Sequence, residues 1–378
     1  MAHFAFLMLP EPGHIFPTLR VARTLENQGH IVSYISIRSF ESFFRHHSFH
    51  FIPILDNVLP TSGNNGSSSG FIPGMKIFRG IAQYLIETGQ TLSDLLLSEL
   101  HSLEFDVLVC DTFFVRECGR ELMCGFRKTI VSLSVTFPYD SLVLSLGVPE
   151  LILCPLEFDI PAGQRHAEER SQQRVYAEPS CYQGQSRPDF PWSRISTKKD
   201  LIYCSFGTQS ARYPQAASIL ATIVETLGDT DGFQLLVVAD ELTDHVCSHR
   251  LAKNVDFVSS APQMDILPCA KLFITHGGLG SLKESIMNAV PMLVIPFDHD
   301  QPGNAARVEY HKLGRYCPPS ECAPERLREV ALELMRDDEI QVNLNRMGRL
   351  FWKIEAQSPA AQFLVQVSAN RSRCTTHA

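Results

Sequence analysis

No run of about 18 consecutive apolar residues occurs in the 378-residue chain, so no membrane-spanning helix is expected. The N-terminal stretch MAHFAFLMLPEPGH has no basic n-region and meets Pro10 and Gly13 too early for a signal peptide. Positive charge is scarce as well. The 33 Lys and Arg against 41 Asp and Glu leave a formal charge of −8 and a pI near 6.0. Nucleic-acid binding as the main task requires a basic surface, and this balance excludes it. CxxC pairs are missing from the 11 cysteines, an odd number. Several cysteines lie in apolar runs, such as Cys110 in DVLVCD and Cys204 in LIYCSFG, where a thiol behaves as a small buried hydrophobe. A reducing cytoplasm is therefore expected rather than a disulfide framework. Cys317 and Cys322 flank a Pro-Pro turn, with no His or Cys at zinc-ligand spacing, so no metal is expected.

With 44% hydrophobic and 20% charged residues the chain is ordinary globular material, long enough for two compact domains. Apolar runs at residues 4–9, 31–37, 107–110 and 130–135 read as buried strands. After the first run, Pro17 sits where a helix would start, Leu19, Ala22 and Leu25 recur at helical spacing, and Gly29 stops the helix. That is a strand–loop–helix–strand unit, the mark of a parallel sheet with helices on its faces.

A second set repeats the arrangement. Residues 201–206, 233–238, 255–258, 271–275 and 292–297 read as strands. Stretches 214–227, 281–288, 301–313, 323–336, 341–353 and 359–367 read as helices. Between the sets, residues 161–196 are polar and Pro-rich, a linker composition, and residues 57–70 (NVLPTSGNNGSSSG) read as a loop. The expected organisation is α/β, with two Rossmann-like parallel-sheet domains facing across a crevice. Residues 1–195 form the first domain, ending in the linker from about 161. Residues 196–357 form the second, and residues 358–378 are a helix and tail. Ligands commonly bind in such crevices.

The most informative stretch, residues 261–308, centres on FITHGGLGSLKES, an apolar strand, a His-Gly-Gly-Leu-Gly-Ser turn and a helix. Such a turn lets backbone N–H groups approach a phosphate, although αβ turns also use glycine for sterics alone. Glu284 on the following helix is either a capping acid or an acceptor for ribose hydroxyls. Asp300 and Gln301, after MLVIPF, offer acceptors and donors suited to sugar hydroxyls, or else an N-cap with a polar neighbour. His14 is an ordinary loop residue or, with Asp111 at the end of VLVCD, a general base with its orienting carboxylate.

These residues resemble the UDP-glycosyltransferase family of GT-B fold, especially its bacterial macrolide- and carotenoid-type members. PEPGHIFPTLRVARTLENQGH resembles the family's first loop and helix, residues 261–308 its nucleotide-sugar signature, and SFGT at Ser205–Thr208 its phosphate loop. The resemblance implies that Ala261 and Gln263 hold the uracil and that His276 binds the α-phosphate. It implies that Thr208, Gly278, Gly280 and Ser281 contact the diphosphate and that Glu284 takes the ribose. Asp300 and Gln301 hold the sugar, Gln fitting glucose; His14 is the general base and Asp111 orients it. It further implies a UDP-sugar co-substrate without cofactor or metal, an apolar small-molecule acceptor, and a terminal helix crossing back to the first domain. A homodimer is a further expectation.

Ser260 stands where plant members often carry a Trp against the uracil, and Leu279 and Gly280 follow the bacterial pattern. The stretch from Val135 to Glu150 is short for the family, whose acceptor-pocket helices lie there. The expected activity is inverting transfer of a hexose from UDP-glucose, with TDP-sugars as an open donor class. The alternatives are a non-catalytic nucleotide-sugar-binding homologue and a UDP-sugar epimerase of the same architecture.

Overall fold

The computed structural model describes residues 1–59, 74–125, 129–138, 142–161, 173–181, 190–208, 210–239 and 253–375. Most of the 57–70 loop and of the 161–196 stretch lies outside the described residues, as do residues 139–141 of the short stretch after Val135. Among the described residues no helix is long and apolar enough to cross a membrane.

Two all-parallel sheets organise the chain. The first contains β1 (His3–Leu7), β2 (Ile31–Ser36), β3 (His50–Pro53), β4 (Val107–Asp111), β5 (Thr129–Ser134), β6 (Glu150–Ile152) and β7 (Arg174–Tyr176), in the order β3-β2-β1-β4-β5-β6-β7. Its helices are α1 (Pro12–Asn27), α2 (Glu41–His46), α3 (Gly74–Thr88), α4 (Leu92–Leu100), α5 (Thr112–Gly125) and α6 (Leu142–Ser145). β4 is buried along its whole length and β1 from Phe4 onward, which is why their sequences are continuous apolar runs rather than alternating ones. Phe6 stacks on Tyr34 and Tyr34 on Phe44, and the Tyr34 hydroxyl shares a 2.8 Å hydrogen bond with Thr18 of α1.

The second sheet contains β8 (Asp200–Ser205), β9 (Phe233–Val238), β10 (Val255–Val258), β11 (Ala270–Thr275), β12 (Met292–Val294) and β13 (Gly314–Tyr316), in the order β10-β9-β8-β11-β12-β13. Its helices are α7 (Ala216–Leu227), α8 (Gln263–Ile266), α9 (Leu279–Met287), α10 (Gln301–Tyr310), α11 (Pro324–Leu334) and α12 (Asp338–Gln357). α13 (Pro359–Thr375) packs on α1, β5 and β7 and so belongs with the first sheet. Each sheet reverses its strand order once, between β1 and β4 and between β8 and β11. Such switch points open a crevice at the carboxyl ends of the strands.

Several boundaries differ from the sequence-based expectation. α1 starts at Pro12, not Pro17. Pro12 occupies the first helical turn, where a missing N–H costs nothing, whereas Pro17 lies inside the helix and forfeits one bond to Gly13. The strand expected over residues 292–297 ends at Val294. The compact units are 1–154 with 165–180 and 357–378, and 155–164 with 181–356. Residues 161–196 are therefore not linker throughout. Arg174–Tyr176 forms the edge strand β7, which lacks an apolar signature because buried Arg174 is paired with buried Glu150 of β6 at 2.6 Å. The preceding segment joins the second unit through Asp159, which accepts from Arg307 Nε at 2.8 Å, and through Phe158, stacked on His311.

Candidate active site

The first switch point carries a histidine–carboxylate pair. Leu7 lies opposite Cys110 in the β1–β4 register, so the residues after each strand end emerge side by side. Asp111 ends β4 and is buried; His14 sits on the first turn of α1, not in the loop before it, and keeps 27% of its side chain exposed. His14 Nδ1 and Asp111 Oδ2 are 2.8 Å apart. The Phe113 N–H donates to Asp111 Oδ1 at 2.9 Å and the Leu9 N–H to Oδ2 at 3.4 Å, which fixes the carboxylate. An ionised carboxylate only accepts, so the neutral ring carries its proton on Nδ1 and presents a lone pair at Nε2. That is the state a general base requires. Leu9, Pro10, Phe113 and Phe114, next to this pair along the chain, line an apolar cavity together with Ile37 and Leu96.

The second switch point is built around His276. Thr275 lies opposite Ser205 in the β11–β8 register, so Gly207 comes up beside the His-Gly-Gly turn. The imidazole is wedged between two glycines. A Cβ on Gly207 would fall 2.7 Å from Cε1, and one on Gly278 2.7 Å from Nε2. Gly207 is in addition left-handed, with φ +74°. His276 Nδ1 is buried with no hydrogen-bond partner, and burial pulls the ring's pKa down to about 4, so it is neutral at pH 7. Gly278 is the N-cap of α9 and offers no side-chain cap, which leaves the first-turn N–H groups to solvent or a ligand. A Cβ on Gly280 would meet nothing within 4 Å, so the space over this turn is open. Thr208 is exposed beside it.

A second cluster lies along α9. Glu284 is on the second turn of α9, which begins at Leu279. Gln263 Nε2 donates to Glu284 Oε2 at 2.6 Å and to Ser281 Oγ at 3.2 Å, and Tyr203 OH donates to Gln263 Oε1 at 3.3 Å. Burial pushes the Glu284 carboxyl up to about 7, against the opposing effects of the Gln263 amide and Lys283. Ala261 precedes this cluster by one turn and stays half-buried.

Asp300 and Gln301 are both engaged in hydrogen bonds within the second unit. Gln301 is 4% exposed, and its Oε1 accepts from the Phe297 N–H at 2.8 Å and the Asp298 N–H at 3.2 Å. Its Nε2 donates to Tyr213 OH at 2.7 Å, and the Tyr213 ring stacks on Phe297. Gln301 thus clamps the loop over residues 297–300, in which His299 adopts a left-handed φ of 60°. Asp300 occupies the N-cap position of α10 without capping it, and its Oδ2 accepts from Asn304 Nδ2 at 2.8 Å. Tyr213 and Gly207 were absent from the sequence-based set. Tyr213 leaves no local signal, since its partner is 88 residues away. Gly207 stands within SFGT, but its role against the imidazole needs the β8–β11 adjacency.

Residues 181–353 match the family model for UDP-glucoronosyl and UDP-glucosyl transferase. An uncharacterized UDP-glucosyltransferase of Bacillus subtilis (strain 168) is 23% identical over 91% of this chain and 93% of its own length. The zeaxanthin glucosyltransferase of Pantoea ananas is 36% identical over 32% of this chain and 27% of its own. Among solved structures, the glycotransferase of kitacinnamycin superposes with a TM-score of 0.74 at 20% identity, over 97% of this chain and 98% of that one. These likenesses share the GT-B fold.

Proposed function

The chain belongs to the UDP-glycosyltransferase family and is a UDP-dependent glycosyltransferase, and from that premise we propose that it transfers glucose from UDP-glucose to a hydroxyl on an apolar small molecule. The observation that carries the reading is the His14–Asp111 pair at 2.8 Å beside an apolar cavity. In this mechanism His14 Nε2 takes the acceptor hydroxyl proton as the oxygen attacks the anomeric carbon. The C1–O bond to the diphosphate breaks, UDP departs with the electron pair, and the anomeric configuration inverts. Asp111 stabilises the imidazolium as it forms. No cofactor or metal enters the proposed steps. His276, Thr208, Gly278, Gly280, Ser281 and the α9 N-terminus meet the diphosphate, Ala261 and Gln263 the uracil, and Glu284 the ribose. Gln301 holds the loop from which Asp300 reaches the sugar. Mass-spectrometric screening of UDP- and TDP-sugars against apolar alcohols and phenols tests the reading. Hexosylated products are expected; UDP binding without any product would overturn it.

Glu284 supplies a pH-dependent test. Its pKa near 7 in the folded protein lies above the ordinary carboxyl value of 4.5, so the folded state holds this proton more firmly. Its contribution to stability is full below about 4.5 and is lost as pH rises towards 7. Ribose hydroxyls donate to the ionised carboxylate, so UDP affinity should rise with pH through about 7. Glu284→Gln should weaken UDP by roughly 1–3 kcal/mol at pH 8 and flatten this rise, leaving only the titration of the diphosphate itself. Calorimetry of both proteins from pH 6 to 8 decides it, and equal pH profiles would remove Glu284 from the ribose.

The clamp makes a second prediction. Gln301→Ala should raise KM for UDP-glucose about tenfold, the effect of one to two net hydrogen bonds, with little change in Kd for UDP. Tyr213→Phe should repeat the same split more weakly, because it removes one bond of the clamp. If Tyr213→Phe is silent while Gln301→Ala is severe, Gln301 holds the sugar itself.

A further inference from the structure

Cys317 and Cys322 belong to none of the clusters assigned above. Cys317 follows β13, and its N–H donates to the Val294 carbonyl at 2.9 Å, so it continues the sheet edge beyond Tyr316. The chain then turns through the single 3₁₀ turn Pro319–Glu321, pinned by a 2.8 Å bond from the Glu321 N–H to the Pro318 carbonyl, and returns at Cys322 just before α11. This turn brings the two sulfurs to 3.6 Å, while the Cys322 thiol is 3.5 Å from the Pro318 carbonyl. Cys317 is buried and Cys322 partly exposed. Of the eight described free cysteines, Cys269 is exposed.

We propose that Cys317 and Cys322 form a reversible dithiol–disulfide site that takes a small hydroperoxide as its oxidant. The contact between the two sulfurs holds the Cys317 thiol below its ordinary pKa and raises that of Cys322; Arg326 supports and Glu321 opposes the Cys317 thiolate. The thiolate is the reactive form. It attacks one oxygen of hydrogen peroxide, the O–O bond breaks, and the leaving hydroxide takes up the proton that the Cys317 thiol released, giving water and a sulfenic acid at Cys317. Cys322 then attacks that sulfur. The S–O bond breaks, and the departing hydroxide takes the Cys322 proton as a second water. Two thiols are oxidised by two electrons and one peroxide is reduced. A peroxide is small enough to reach the buried Cys317 through the partly exposed Cys322 side. The resulting bond would staple the end of β13 to the entry of α11.

The sequence makes the test direct, because both cysteines fall in one tryptic peptide, Tyr316–Arg326, with no basic residue between them. The intact protein is treated with graded hydrogen peroxide, alkylated and digested. The peptide is expected to lose both thiol hydrogens and both alkylation sites before Cys269 is over-oxidised, and dithiothreitol should restore them. In Cys322→Ser the reaction should stop at a Cys317 sulfenic acid, captured by dimedone. Independent alkylation of Cys317 and Cys322 at peroxide levels that already oxidise Cys269 would overturn the proposal. So would dimedone capture no greater in Cys322→Ser than in the wild type.

Discussion

His14→Ala is expected to lower the transfer rate by about 10²–10⁴-fold, the usual contribution of a general base, while leaving UDP affinity unchanged. The separation follows from where the groups lie. His14 and Asp111 stand at the β1–β4 switch point of the first unit, and the His276, Glu284 and Gln301 clusters belong to the second. Folding should survive the substitution. His14 lies on a helix first turn with 27% of its side chain exposed, and Asp111 keeps the N–H groups of Phe113 and Leu9 after its imidazole partner is gone. Asp111→Asn should fall between the wild type and His14→Ala. The amide keeps the base in place, yet it can donate to Nδ1 and so populate the tautomer that has no lone pair at Nε2. Steady-state kinetics beside calorimetry of UDP reads both effects. An unchanged rate in His14→Ala would remove it as the base, and a collapse of UDP affinity would make it a structural residue.

How much of this was legible in the sequence depended on how local each feature is. β9 and β10 match their expected boundaries to the residue, because each is a run of strand-forming residues bounded by polar turns. The short strands β3, β6, β7 and β13 escaped. Three or four residues carry little periodic signal, and the buried groups of β6 and β7 include the charged pair Glu150 and Arg174. α4 carried a readable start, since Thr91 and Asp94 form a reciprocal capping box. Among the site residues, the His-Gly-Gly turn and the start of α9 were readable because strand, glycines and helix are contiguous. Pairings across the fold were not. His14 and Asp111 are 97 residues apart, and a histidine after a glycine has no local mark of catalysis. The hydrogen bonds of Gln301 were equally hidden: both ends of its amide pair within the fold, to the loop backbone and to Tyr213, 88 residues away.

His276 offers the second large effect. Its Nδ1 is buried without a partner, which costs about 1–3 kcal/mol until something accepts from or donates to it. A neutral ring with a pKa near 4 can donate one N–H to a phosphate oxygen, and the arriving negative charge makes that bond stronger than a neutral one. His276→Ala should therefore weaken UDP by roughly 1.5–3 kcal/mol, about 10- to 150-fold. Gly207→Ala tests the same contact from the other side. The new Cβ would lie 2.7 Å from the ring at a φ of +74°, so the substitution both strains the backbone by about 1–2 kcal/mol and displaces the imidazole. Its UDP affinity should fall towards that of His276→Ala, with a lowered melting temperature. In the double variant the space left by the ring accepts the Cβ, so Gly207→Ala should add little further loss of UDP affinity there. If its penalty is undiminished in the His276→Ala background, glycine at 207 serves the close approach of backbone to phosphate rather than the placement of the ring. If His276→Ala binds UDP as the wild type does, the unpartnered nitrogen is not a phosphate donor, and the turn's affinity for the diphosphate rests on the α9 N–H groups alone.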